Sequence, residues 1–253
     1  MALLEDFDKQ GSFLFRWRSY IPGFILILSF FYVADSKYYE NNYYSNLLLT
    51  SICFLVSLFG LFIRCFTIGF TPAKTSGRNT KTQVAETVNQ TGIYSLIRHP
   101  LYVGNFFMFL GVVLNIKDLS LSLIFILFYW MYYERIMYTE EFFLRNKFGE
   151  EYLKWANQTP AILPQFKRYV SPNLTLSFRN ILKREYPSLF GIIIIFLFYD
   201  LIFVYFNEPS RIQNTFSSLF YPHHIYIFIG ACIFYIATRI VVKFTNWLVV
   251  EGR

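Results

Sequence analysis

Two strings of the chain carry side chains that can do chemistry, and the first runs from Tyr94 to Phe107 as YSLIRHPLYVGNFF. Arg98 and His99 stand directly before Pro100, which suits the first turn of a helix because it has no amide hydrogen to leave unbonded. The free amides at such a helix start attract anions. The string therefore predicts a polar site where a helix enters an apolar layer.

The second string runs from Glu140 to Pro164 as EEFFLRNKFGEEYLKWANQTPAILP. Its aromatic and charged residues predict an amphipathic helix that begins at Glu140, lies at the membrane interface and is interrupted at Gly149. Glu141 and Arg145 are four residues apart and share a face of that helix, so a surface ion pair is one explanation. That explanation leaves Glu140 and Glu141 poorly accounted for, because carboxylates beside a membrane exit are costly unless they bind something.

A packing explanation is also open for each residue of the first string taken alone. Arg98 could anchor to a lipid phosphate, and His99 could cap the helix. Gly104 and Gly111 could face a neighbouring helix. The occurrence of all these residues at the start of one helix favours a functional site.

The composition of the whole chain indicates an integral membrane protein. The chain has 253 residues, of which 55% are hydrophobic and 15% are charged, against about 25% charged in soluble domains. Disordered, coiled-coil and disulfide-rich classes are excluded, and the three cysteines are expected to be reduced. The acidic, mixed N-terminus predicts no cleaved signal peptide.

The apolar runs predict an all-α membrane protein of about six transmembrane helices. These spans are expected near residues 20–34, 47–70, 101–116, 119–137, 188–206 and 223–250. The segments before and between them hold three, one, four, one, eight and one Lys or Arg in turn. Positive charge collects on the cytoplasmic side, so this alternation predicts cytoplasmic N- and C-termini. Segments 71–100 and 138–187 should then share the cytoplasmic face.

We treat residues 1–253 as a single membrane domain, with a core at 47–164 and a C-terminal extension of two further spans at 165–253. The net charge of +7 fits attraction to anionic head groups, and no nucleic-acid patch is present. His223 and His224 are expected to be interfacial residues without an acidic partner. Asp200 is hypothesised to pair with a Lys or Arg of the last span.

The two strings together resemble the superfamily of isoprenylcysteine carboxyl methyltransferases and phospholipid methyltransferases. The similar pattern is Arg98-His99-Pro100-x-Tyr102-x-Gly104, followed after one span by Glu140-Glu141, Phe148-Gly149 and a terminating proline. The resemblance covers about residues 60–164 and implies a membrane enzyme that takes a methyl group from S-adenosylmethionine. Residues 75–105 resemble a bacterial subgroup that includes lipid A phosphate methyltransferases, which implies a bacterial inner membrane and a cytoplasmic active site.

The resemblance also implies roles for individual residues. The cofactor pocket would comprise Tyr94, Arg98, His99, Pro100, Tyr102, Gly104, Asn105, Glu140 and Glu141. Glu141 and Arg145 are the candidate catalytic residues. An anionic lipid substrate would be bound by Arg64, Lys74, Arg78 and Arg145, although head-group anchoring is an alternative for the first three. The sequence contains no metal-binding spacing such as H-x-x-H or C-x-x-C, so no metal is expected.

Several alternatives remain open at this stage. A lipid phosphate is the preferred acceptor because several cations would favour it, but an isoprenylcysteine carboxylate or an amine head group is also compatible. A second alternative is a membrane reductase that uses NADPH, because such reductases carry a similar RHPNY string. At the position of its Asn, this chain has Leu101. A transporter or scaffold without catalysis is a third alternative. Oligomeric state cannot be read from the residues.

Overall fold

The computed structural model describes residues 3–18, 20, 27–33, 36–72, 75, 85–212 and 220–253. Within these ranges the chain is helical, apart from turns, loops and an isolated antiparallel bridge between Gly92 and Val170. The helices are α1 (Leu3–Trp17), α2 (Tyr43–Gly69), α3 (Pro100–Leu114), α4 (Leu119–Phe148), α5 (Glu150–Ala156), α6 (Phe178–Asn207) and α7 (Pro222–Phe244). Residues 27–33 are also helical, and Pro209–Ile212 form a single turn. The all-α class is confirmed for the described part of the chain.

Four of these helices, α2, α4, α6 and α7, are long and apolar enough to cross a membrane. Helix α3 is apolar but has 15 residues, about 22 Å at 1.5 Å per residue, which is less than the ~30 Å hydrocarbon layer. The first predicted span, 20–34, lies largely outside the described residues. The helices support an integral membrane protein, whereas six spans and cytoplasmic termini stay predictions.

The predicted separate helix at Glu140 is wrong, because α4 continues without a break to Phe148. Glu140 and Glu141 therefore lie within the last three turns of a long helix. The chain has no Gly or Pro between Leu119 and Phe148, so nothing in this stretch interrupts the hydrogen-bond ladder. The break comes at Gly149, whose φ of +54° is a conformation that glycine adopts readily.

Neighbouring helices run in opposite directions, so the bundle has two ends. We call the motif end the one where α3 begins and α4 finishes, and the other the opposite end. At the motif end Gln90 donates a hydrogen bond to Glu151, and Gly92 donates through its backbone to Val170. The described parts of segments 71–100 and 138–187 thus contact each other at the motif end, whereas the cytoplasmic location of that end stays a prediction.

Helices α2 and α3 pack closely enough for their backbones to touch. A Cβ atom on Gly111 would lie 2.3 Å from the carbonyl oxygen of Cys53 and 2.3 Å from Oγ of Ser57. The Ser57 hydroxyl also donates a hydrogen bond of 2.8 Å to the Met108 carbonyl. This contact fixes the position of α3, and therefore of the string that precedes it, against α2.

We expect Gly111→Ala to lower the thermal midpoint of the detergent-solubilised protein, because the added methyl group must push α2 and α3 apart. Overpacking of this kind costs about 1–3 kcal/mol. The matched control is Gly191→Ala in α6, where a Cβ would meet nothing within 4 Å. The control should keep or slightly raise the midpoint, since alanine is the better helix former. Equal midpoints for the two variants would contradict the close packing.

Candidate active site

The backbone just before α3 is fixed by the loop that follows α5. The amide of Arg98 donates to the Pro160 carbonyl at 2.9 Å, and the amide of His99 donates to the Ala161 carbonyl at 3.2 Å. Pro100 occupies the first turn of α3, as its lack of an amide hydrogen predicts. These bonds bring the end of the second string against the start of the first.

The guanidinium of Arg98 joins α4 to the end of α5. Its Nε donates to Oε1 of Glu141 at 2.9 Å. One terminal nitrogen donates to the carbonyls of Ala156 and Thr159, at 2.8 and 2.7 Å. Carbonyls at a helix C-terminus lack partners within the helix, so a cation there is favourable. Arg98 is thus held by both the carboxylate and the backbone.

His99 occupies the N-cap position of α3, but its ring does not cap the helix. Its Nε2 lies 2.8 Å from Oε1 of Glu141, and its Nδ1 lies 3.8 Å from Oε2 of Glu140. The Tyr102 hydroxyl donates to Oε1 of Glu140 at 2.6 Å. The paired carboxylates therefore bind residues of the first string, which explains how they are accommodated at the membrane exit.

Two tyrosines surround these carboxylates and stay neutral. Burial, with the negative charge of Glu140 nearby, holds the pKa of the Tyr94 phenol far above its usual value. Burial and the charge of Glu141 do the same to the pKa of Tyr152. Trp155 of α5 further fixes this wall by donating from its indole to the Tyr94 carbonyl at 3.2 Å.

Arg64 is placed differently from its predicted role in substrate binding. Its Nε and one terminal nitrogen donate to the two carboxylate oxygens of Glu185 at 3.0 and 2.7 Å. Its other terminal nitrogen donates to Oδ1 of Asn105 at 2.7 Å. The charge of Arg64 is therefore compensated within the protein, and a direct role at an acceptor anion stays untested.

Sequence reasoning missed Glu185 and also Arg18. Arg18 follows α1 and has a terminal nitrogen 3.8 Å from Oε1 of Glu140. Helix α1 lies along α4, and the Tyr132 hydroxyl donates to the Leu14 carbonyl. Neither residue lies in a recognisable motif. For Glu185 a signal was available, because a carboxylate near the start of an apolar helix needs a partner.

Arg145 is exposed on α4, one turn beyond Glu141. Glu141 directs its Oε1 to Arg98 and His99, so the geometry does not require the predicted surface pair with Arg145. Lys74 and Arg78 lie outside the described residues, and their roles remain predictions from the sequence.

A separate polar cluster at the opposite end corrects the interpretation of the last two spans. Asp200 of α6 accepts a 2.5 Å hydrogen bond from Nε2 of His224, and Nε2 of His223 lies 4.0 Å from the same oxygen. The two histidines therefore have an acidic partner, Asp200, and Asp200 pairs with them instead of with a Lys or Arg of the last span. The expectation failed because the partner lies on another helix.

The same cluster has the residue types of a metal site, since ligand atoms of Asp200, His223 and His224 lie within 4.8 Å of one another. The backbone amide of Tyr221, however, donates to Nδ1 of His224 at 3.2 Å. This contact places the hydrogen of a neutral His224 on Nε2, where it points to Asp200. The described geometry is explained by a helix-capping hydrogen-bond pair, and the expected absence of a metal stays a prediction.

Comparisons with known proteins relate part of this chain to methyltransferases. Residues 77–151 match the sequence model of the family described as phospholipid methyltransferase. Over 73 residues the chain is 34% identical to protein-S-isoprenylcysteine O-methyltransferase of Schizosaccharomyces pombe, covering 29% of this chain and 31% of that protein. The mouse enzyme of the same name is 32% identical over 81 residues, covering 32% of this chain and 29% of the enzyme.

A bacterial relative carries a different kind of name. The cobalt-zinc-cadmium resistance protein CzcN of Cupriavidus metallidurans is 35% identical over 94 residues, covering 37% of this chain and 41% of that protein. The chain thus spans less than half the length of each of these relatives. No solved structure matches it.

The matched segment contains the chemistry-bearing residues of both strings, from Tyr94 to Glu141, and the geometry brings the two together at one end of the bundle. The resemblance inferred from the sequence is thereby confirmed at the level of the superfamily. Through residues 77–151, this chain is similar to the family of phospholipid methyltransferases and to the isoprenylcysteine O-methyltransferases.

Proposed function

We propose that the protein is a membrane methyltransferase that moves a methyl group from S-adenosylmethionine to an oxygen anion of a membrane-embedded lipid. The observation that carries the proposal is the contact of Glu141 with both Arg98 and His99. It joins the two strings of the superfamily pattern at one end of an apolar helical bundle. A water-soluble donor and a lipid acceptor can both reach such a place.

The residues at the motif end fit the donor. S-adenosylmethionine carries an ammonium, a carboxylate, a sulfonium and ribose hydroxyls. Glu140 and Glu141 offer carboxylates that are 25% and 27% exposed, and Arg98 is 19% exposed, so each can still meet a ligand. The Tyr152 hydroxyl is buried beside Glu141 and forms part of the same polar wall. These groups match the hydroxyls and charges of the donor.

The donor supplies an activated methyl group. The protein residues need to align the donor with the acceptor and to exclude water from the site. Glu141 is held by Arg98 and His99, so its carboxylate has a fixed orientation. Tyr94 and Tyr152 stay protonated and present neutral, partly apolar walls. An anionic acceptor needs no base at neutral pH, which agrees with a site built from hydrogen-bond donors and carboxylates. Such preorganisation contributes through alignment of the reacting groups.

For the acceptor we propose a lipid phosphate, such as a phosphate of lipid A, in a bacterial inner membrane. The exposed guanidinium of Arg145 can bind two anion oxygens at once. Lys74 and Arg78 stand in the segment before the first string and would add positive charge. Arg64 is not part of this acceptor site, because Glu185 and Asn105 already bind its guanidinium. The active site would face the cytoplasm.

A second candidate acceptor is the carboxylate of an isoprenylated cysteine. It is favoured by the relatives from yeast and mouse, whose names specify that reaction. The similarity to these relatives covers about a third of this chain. The family match ends at residue 151, so it includes neither α6 nor α7. An acceptor that contacts those helices can therefore differ from that of the relatives. The membrane reductase is less favoured, since the matched family is a methyltransferase family.

We expect the purified protein to bind S-adenosylhomocysteine and to leave NADPH unbound in isothermal titration. Glu141→Gln should weaken S-adenosylhomocysteine binding about tenfold or more, because a charge-assisted hydrogen bond contributes ~1.5–3 kcal/mol. The control is Glu134→Gln, an exposed carboxylate on the same helix whose neighbour is Arg135. Tight NADPH binding, or equal affinity in both variants, would count against the proposal.

We expect methyl transfer to appear on a phosphorylated lipid. The purified protein would receive S-adenosylmethionine with a deuterated methyl group, together with lipid A or with an S-farnesylcysteine derivative, in parallel mixed micelles. A gain of one labelled methyl on lipid A, absent in Glu141→Gln, supports the phosphate acceptor. Label that appears only on the farnesylcysteine carboxylate, as a base-labile ester, overturns the phosphate in favour of the second candidate.

A further inference from the structure

The ion pair between Arg64 and Glu185 links the core at residues 47–164 to the C-terminal extension. Arg64 belongs to α2, and Glu185 belongs to α6, 121 residues later. The side chain of Glu185 is 3% exposed and that of Arg64 is 15% exposed. Both carboxylate oxygens are bound by the guanidinium in a two-bond arrangement. The contact is therefore specific in direction as well as in charge.

Stability alone is a weak explanation for this pair. Removing two charges from water costs several kcal/mol per ion, and a buried pair is often no more stabilising than apolar residues of similar size. At a helix contact among lipid-facing spans, apolar residues would serve as well. Some further requirement for a guanidinium at this point is thus expected.

That requirement is visible in the third bond of Arg64. With two nitrogens bound to Glu185, the remaining terminal nitrogen donates to Oδ1 of Asn105 at 2.7 Å. Asn105 directly follows Gly104, the last residue of the pattern in the first string. Because its oxygen faces Arg64, its NH₂ group must point away from the guanidinium, and Tyr133 of α4 is a neighbour with which the Asn105 side chain interacts.

Gly104 leaves the space through which Arg64 reaches Asn105. A Cβ on Gly104 would lie 2.6 Å from Cγ of Arg64 and 2.9 Å from the carbonyl oxygen of Gly60. A larger residue would displace the guanidinium or separate the helices. Two consecutive residues of the first string, Gly104 and Asn105, thus form the binding place for Arg64.

The contacts continue from Asn105 to the paired carboxylates. The ring of Tyr133 packs against that of Tyr102, with centroids 4.7 Å apart. The Tyr102 hydroxyl in turn donates to Glu140. A line of interacting side chains therefore runs from Glu185 through Arg64, Asn105 and the two tyrosines to Glu140.

We propose that Glu185 is a positioning residue for the methyltransferase site. It holds Arg64 in the orientation that fixes the Asn105 amide and, through Tyr133 and Tyr102, the Glu140 side of the donor pocket. The extension is then part of the site and has a role beyond membrane anchoring. The inference rests on the proposed function, because the pocket it acts on is the proposed donor pocket.

The test compares S-adenosylhomocysteine affinity with thermal stability in full-length detergent-solubilised variants. Glu185→Gln should weaken binding about tenfold and also lower the thermal midpoint, since it leaves the Arg64 charge uncompensated. The matched control is Asp200→Asn. It alters a buried carboxylate on the same helix that binds His224 at the opposite end. It should lower the midpoint while keeping the affinity within about twofold of the wild type.

A double variant, Arg64→Gln with Glu185→Gln, separates positioning from stability. Neutralising both partners removes the uncompensated charge, so the midpoint should recover relative to Glu185→Gln. The hold on Asn105 is still lost, so binding should stay weak. Recovery of affinity together with the midpoint would overturn the positioning role, as would an equal loss of affinity in Asp200→Asn.

The same measurements separate this inference from the proposed function. If the wild type binds S-adenosylhomocysteine and Glu185→Gln binds it equally well, the positioning role is overturned and the proposed function stands. If the folded wild type does not bind S-adenosylhomocysteine at all, the proposed function is overturned, and the positioning role with it.

Discussion

The motif end depends on one carboxylate oxygen that two cationic or polar side chains share. Oε1 of Glu141 lies 2.9 Å from Nε of Arg98 and 2.8 Å from Nε2 of His99. Burying a carboxylate at a membrane exit would be costly without such partners. The same Arg98 also binds the carbonyls that end α5 and its following loop. Removing this interaction would separate α4 from the start of α3 and from the loop beyond α5, which stay joined to each other by backbone hydrogen bonds.

Two further charges at the motif end, those of Glu140 and Arg64, are compensated by groups from different helices. Glu140 accepts a hydrogen bond from Tyr102 of α3 and lies near Arg18, which follows α1. Arg64 of α2 forms an ion pair with Glu185 of α6. Each pairing joins elements that are distant in the chain, so packing of the bundle and assembly of the site are one process. A site supported in this way keeps its geometry before any ligand arrives.

The opposite end uses polar contacts for a different purpose. Asp200 binds His224, whose ring is oriented by the Tyr221 backbone amide, and Tyr38 binds Glu208. These bonds tie α6 to the start of α7 and to the chain before α2. The pair of clusters fixes α6 at its two ends, one through Glu185 and one through Asp200. Helix α6 is therefore well placed to transmit its position to the motif end.

The sequence by itself determined the helical membrane class, the two chemistry-bearing strings and their resemblance to one superfamily. Composition and hydropathy are sums over residues, and a motif is local, so both are readable without a fold. Their meeting on one face was also predictable, since charge asymmetry reports on which side a loop lies. The sequence did not show that α4 continues through Glu140. A stretch of aromatic and charged residues looks the same whether it forms a separate interfacial helix or the last turns of a transmembrane helix.

Only the tertiary structure decided which charge binds which partner. Arg64 and Glu185 are 121 residues apart, and so their pairing depends on how α2 and α6 pack. The same holds for His224 with Asp200, for Arg18 with Glu140, and for the space that Gly104 leaves to Arg64. A hydrogen bond forms within about 3 Å, and one sequence does not encode distances at that scale between helices far apart in the chain.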